Sequence, residues 1–177
     1  MKMNTIICAM LLFFGMTNPL AAEDVQQVFS GTPWGSAITA FQGLHQSARS
    51  GDFTFYKRDK DIYEIGNVAL TDIVYGFFKG KFFSVYLKIT DPDNVDPIKA
   101  FLDKVYDPAR AQLRLHETIF IWDFLNVKIK LKQPLDGTPA KLAYYYVPLS
   151  LKANAARPGE GQDHVFELGD GFPEYEF

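Results

Sequence analysis

Between Val127 and Lys132 the chain reads VKIKLK, with apolar and basic positions alternating without a break. A period of two is that of a strand with one buried face. It turns Val127, Ile129 and Leu131 inward and Lys128, Lys130 and Lys132 outward. The same period marks FTFYKR (53–58) and ETIFIWDF (117–124), where Phe120, Trp122 and Phe124 share a side. TDIVYGFFKGKFFSVYLKIT predicts a hairpin turning near Lys79-Gly80, since a Gly-containing turn between β-rich runs is a hairpin signal. Ile73, Tyr75 and Phe77 form one face of that hairpin, and Phe83, Val85, Leu87 and Ile89 form one face of its second strand. Gly76 inside the first strand predicts a bulge or a close backbone approach. A short extended piece is expected at 62–65, and AKLAYYYVPLSL reads as a last long strand with Pro148 near its end. Along that strand Tyr145 points away from Tyr144 and Tyr146.

Helical spacing occurs twice. Ile38, Phe41 and Leu44 or His45 predict a helix over 37–45, with Ser36 as its cap. Ile98, Phe101, Leu102 and Val105 fall at i, i+3, i+4 and i+7 and predict a second helix over 97–106. Asp96 would cap it, and Pro97 suits its first turn. The fold class is therefore α+β, an antiparallel sheet with two short helices. The element order, αβββ then αβββ, suggests tandem repeats over 31–90 and 91–152, although identity between the halves is negligible. A single α+β domain with the same order is the alternative.

The ends differ from this body. Lys2, the apolar run IICAMLLFF and the small residues before Glu23 have the parts of an export signal, 1–22, cut after Ala22. The apolar run is shorter than the roughly 20 residues of a permanent span, so no transmembrane segment is expected after cleavage. The chain is then periplasmic or secreted, with an α+β domain over 23–152. Beyond it ANAARPGEGQD has the composition of a linker, opening an acidic, partly flexible tail over 153–177. From Glu160 onward there are six acids and no Lys or Arg.

Cutting the signal removes Cys8, the single cysteine, and with it disulfides, thiolate metal sites and a Cys nucleophile. It leaves 17 basic and 21 acidic residues, a net charge of −4, which disfavours nucleic acid and anionic membrane surfaces as partners. The 16 Phe, 9 Tyr and 2 Trp suit packed strand faces.

Catalytic patterns are absent. His45, His116 and His164 stand at no ligand spacing, and neither HExxH nor GxSxG occurs. The acids of DPDNVDP lack the Gly and distal Glu of a calcium loop, so a turn leading into a helix is the simpler reading. GTPWGS lacks the Lys of a phosphate loop, and no cofactor is implied.

The motifs GTPWGSAITAFQGL, FTFYKRD and VYGFFKGKFFSVYLKI resemble the outer-membrane assembly lipoprotein BamE and its relatives. The tandem form resembles the β-lactamase inhibitor protein fold, in which two αβ repeats join sheets into a binding surface. Small exported bacterial proteins with a PWG-S turn and a later Y-x-F-x-x-GK hairpin are similar as well. The likeness covers about residues 31–89 and, more loosely, the second half, and it implies no functional residue.

Export, missing catalytic patterns and aromatic strand faces together predict a non-catalytic binding or envelope-assembly protein. Its partner would be another envelope protein, met by Trp122, Lys128, Lys130, Lys132, Tyr144, Tyr145 and Tyr146. A carrier of a small apolar ligand, or a hydrolase with dispersed carboxylates, is the alternative.

Overall fold

A computed structural model of the chain describes residues 25–156. The predicted export signal lies outside them, as do residues 157–177. Eight antiparallel strands form one sheet, and two stretches of sequence each contribute four neighbouring strands. The first gives β3 (Leu44–Ser50), β4 (Phe53–Arg58), β7 (Ile73–Phe78) and β8 (Lys81–Ile89). The second gives β9 (Arg110–Leu113), β10 (Glu117–Asp123), β11 (Val127–Pro134) and β12 (Ala140–Tyr146). The order is β3-β4-β7-β8-β12-β11-β10-β9, so the two sets join where β8 pairs with β12. Two small hairpins stand apart: β1 (Val28–Phe29) with β2 (Thr32–Pro33), and β5 (Tyr63–Ile65) with β6 (Val68–Leu70). Helix α1 is Val95–Tyr106, and α2 is Val147–Ala155. The mainly antiparallel α+β class is as the patterning predicts.

One sheet face holds the main core. Tyr75, Phe77, Phe82, Val85, Leu87, Trp122, Ile129, Leu131, Leu142 and Tyr144 pack there under the β5–β6 hairpin, α1 and the segment holding Phe29 and Trp34. Burying a side chain of this size is worth about 1.5–3 kcal/mol, so this face carries most of the stability. Trp34 is fixed by stacking on Phe82 (centroids 4.6 Å apart) and by its indole N–H, which donates to Val25 O at 2.8 Å. The opposite face divides in two. Over β4, β7 and β8 a second core forms from Phe53, Phe55, Val74, Phe78 and Phe83, with Leu149 and Ala153 of α2 packed on it. Over β10, β11 and β12 the same face carries lysines.

Several predicted elements are corrected. No α-helix covers 37–45: a single 3-10 turn at Ile38–Ala40 is followed by β3. The turn ends at Phe41, which is extended (φ −102°, ψ 142°); Gly43 (φ +68°) then redirects the chain, and Leu44–Ser50 pairs with β4 instead of continuing a helix. Ile38 and Phe41 keep their inward role, Phe41 meeting Phe77 and Phe82 edge-on at 5.2 and 5.0 Å. Ser36 caps nothing: its hydroxyl donates to Pro33 O at 2.7 Å. The first half therefore does not open with the α-helix of an αβββ unit. The last long strand stops at Tyr146, where the chain turns into α2 with Pro148 in the first turn. That helix runs three residues past the expected boundary at Lys152.

The hairpin at Lys79-Gly80 forms as expected, with φ of +50° and +72°, both positive as a two-residue primed turn requires. Gly76 marks both features predicted for it. The β7–β8 register shifts beside it, inserting one extra residue into β8, and a Cβ at Gly76 would stand 2.0 Å from Ser84 Oγ. The extra residue is Phe83. It lies on the second-core side, and Phe82 takes the place expected for Phe83 beside Val85, Leu87 and Ile89. Helix α1 ends at Tyr106 as predicted, but starts at Val95, with Asp96 and Pro97 inside its first turn. Ile98 and Leu102 are buried, while Phe101 and Val105 are exposed.

Candidate functional site: a lysine-bearing sheet face

Strand β11 is an interior strand, flanked by β10 and β12. Its alternation is realised in full: Val127, Ile129 and Leu131 sit in the main core, and the three lysines point the other way. The register adds two more. Lys132 lies opposite Lys141 of β12, and Lys141 lies opposite Lys88 of β8. Three adjacent strands thus present lysines to one another in a single row. Like charges directly opposite destabilise a sheet by roughly 0.2–1 kcal/mol a pair.

One row along the strands, Lys130 stands between Ile121 and Ala143. Its residue is only 7 % exposed, and its Nζ lies 5.9 Å from the centre of the Tyr145 ring. Burial, then the charges of Lys132, Lys128 and Arg114, push its amine down to about 8 from 10.5. A further row along, Lys128 pairs with Asp123 at 2.9 Å. Glu117 lies 3.9 Å from both Lys132 and Arg114. Ile119, Ile121, Ala143 and Tyr145, all buried, floor the face, with Tyr86 edge-on to Tyr145 at 5.8 Å. Cations over a buried apolar floor, with two acids at the margin, are suited to an anionic ligand. It is not an ordinary solvated lysine face, because the lysine stems and one ammonium are drawn into it.

The residues expected to form one binding surface separate by face. Lys128, Lys130, Lys132 and Tyr145 come together. Trp122, Tyr144 and Tyr146 lie on the core side. Trp122 donates to Asp103 Oδ1 at 3.2 Å and to Asp107 O at 3.1 Å, bracing the end of α1 against β10. Burial raises the Asp103 carboxyl, but its hydrogen bonds from Lys99, the Ala109 N–H and Trp122 outweigh this and hold it low. Tyr144 meets Phe29 at 5.1 Å, and Tyr146 stacks on Trp34 at 6.1 Å. Alternation separates Tyr145 from its neighbours correctly; the error lies in grouping Trp122, Tyr144 and Tyr146 with lysines that leave the opposite side. Lys88 and Lys141 were missed because the β8–β12 pairing joins strands about fifty residues apart, and no local pattern encodes it.

Elsewhere, Tyr75 donates to Asp61 at 2.5 Å under the Arg58 guanidinium; burial and then that bond raise its phenol. Asp91 accepts from the Asp93 N–H at 3.0 Å, the turn expected of DPDNVDP. Among the described residues no three of His, Cys, Asp and Glu gather where they could hold a metal ion. A pocket of about 40 Å³ between Ile89, Pro92, Val95 and Pro139 has room for water, against the roughly 300–1,000 Å³ of a ligand site. Among the described residues no helix is long and apolar enough to cross a membrane. No family model, curated protein or solved structure matches the chain.

Proposed function

We propose that the protein is an exported, non-catalytic binding protein whose β10–β11–β12 face takes an acidic segment of a macromolecular partner, such as another envelope protein. The observation carrying this reading is the row Lys88–Lys141–Lys132 beside the buried Lys130. An anionic occupant would add counter-charge to the row and to the buried ammonium. Export rests on the patterning of 1–22, and places the partner in the envelope or outside the cell. The two four-strand sets joined at β8–β12 support reading the chain as two related units. In this form each unit is strands followed by a helix, α1 after β8 and α2 after β12.

The random copolymer poly(Glu,Tyr) tests the reading, with an uncharged polymer as control. Surface plasmon resonance should show binding to the full chain that drops at least tenfold in the triple variant Lys128→Gln, Lys130→Gln, Lys132→Gln. Equal binding by both proteins, at matched melting temperatures, would refute it.

A further inference from the structure

Charge along the chain is unevenly divided. Residues 158–177 hold six of its 21 acids, Glu160, Asp163, Glu167, Asp170, Glu174 and Glu176, and no Lys or Arg. Without them 18 basic residues would face 15 acids, a net charge of +3 in place of −3. The same stretch is rich in large apolar side chains, with Phe166, Leu168, Phe172, Tyr175 and Phe177. An acidic segment is the charge complement of a face carrying five lysines, and its aromatic side chains can lie along the lysine stems.

Position agrees with chemistry. Helix α2 packs on Phe53, Phe55 and Phe83, on the side of the sheet that carries Lys88, Lys128, Lys130, Lys132 and Lys141. The chain therefore leaves Ala156 already on the lysine side. The 21 residues from Arg157 to Phe177 can reach up to roughly 70 Å when extended. Four strands span only about 19 Å. The stretch before Val25 is a poorer complement: its charges are Lys2, Glu23 and Asp24, which leave it almost neutral.

We infer that the acidic segment 158–177 docks on the β10–β11–β12 face of its own chain, acting as a built-in ligand that a partner must displace. This rests on the binding face proposed above and names what regulates it. A tethered segment acts at an effective concentration of about millimolar, so an outside ligand meets a partly occupied site. Occupancy in cis would keep an apolar, cationic face covered until a stronger acidic ligand arrives.

Zero-length carbodiimide coupling of the full chain, followed by mass spectrometry of the monomer, tests the docking. Lys57 and Asp72, 2.8 Å apart, are the internal control. The expected result is amide links from Lys88, Lys128, Lys130, Lys132 or Lys141 to the acids of 160–176. Absence of such links, with Lys57–Asp72 formed, would overturn the inference. A second measurement uses a full-length chain with the six acids replaced by Gln or Asn. It should bind poly(Glu,Tyr) at least tenfold more tightly than the unaltered chain, and equal affinity would again count against docking. If this neutralised chain fails to bind the polymer at all, the binding face itself is refuted, an outcome separate from missing crosslinks.

Discussion

One face of one sheet is finished in two ways. Over β4, β7 and β8 it is a wall of Phe53, Phe55, Phe78 and Phe83 closed by Ala153 and Leu149 of α2. Over β10, β11 and β12 it has a similar apolar floor, Ile119, Ile121, Ala143 and Tyr145, but carries lysines where the first half has phenylalanines. The first half lowers its own free energy by burial. The second sets lysines opposite one another and draws one ammonium into the sheet face. A chain able to build the first arrangement had an apolar solution at hand for the second. On the reading proposed above, a bound anionic partner would account for the difference.

Changes on the closed half should act on stability alone. Phe83→Ala empties a fully buried site and is expected to cost about 3–5 kcal/mol, seen in urea unfolding, with polymer binding by the folded fraction unchanged. Gly76→Val drives side-chain atoms into Ser84 and Phe83 and should cost about 2–3 kcal/mol by the same assay.

Changes on the lysine half should run the other way. Lys130→Met, made in the chain with its six distal acids neutralised, is expected to raise stability by about 1–3 kcal/mol while weakening polymer binding. The gain should shrink in the unaltered chain, where those acids offset the charge. The sign with pH follows from the lowered amine. Between about 8 and 10.5 the unfolded chain binds the extra proton, so stability climbs with pH across that window. Below about 8 both states are protonated and the cost is constant. Denaturant midpoints at pH 7 and pH 10 should show a rise that Lys130→Met removes. The smallest effect concerns Trp122. Replacing it by Phe removes the indole donor to Asp103 and Asp107 and should cost about 1 kcal/mol in thermal melts, leaving polymer affinity unchanged.

Local patterns carried part of this comparison. Alternation in VKIKLK set the two sides of β11, and two positive-φ residues set the β7–β8 turn, because strand period and turn chemistry act between near neighbours. Ile38 and Phe41 satisfy helical spacing equally well as a loop folded onto Phe77 and Phe82, and the sheet edge offered by β4 decided between them. Tyr144 to Leu151 looked continuous as a strand, yet Pro148 fits a helical first turn, and Ala153 reaches the phenylalanine wall only if the chain coils back. The lysine row was not legible at all, since Lys88, Lys141 and Lys132 meet only through a long-range register.

Anion binding by the lysine half is the central proposal. Its most direct measurement is the affinity of poly(Glu,Tyr) for the neutralised chain across a salt series. Affinity should fall steadily from low to high salt, and the slope should flatten with the triple Lys→Gln change, because contacts to the lysines are screened. An affinity indifferent to salt, or a slope untouched by loss of the three lysines, would contradict it.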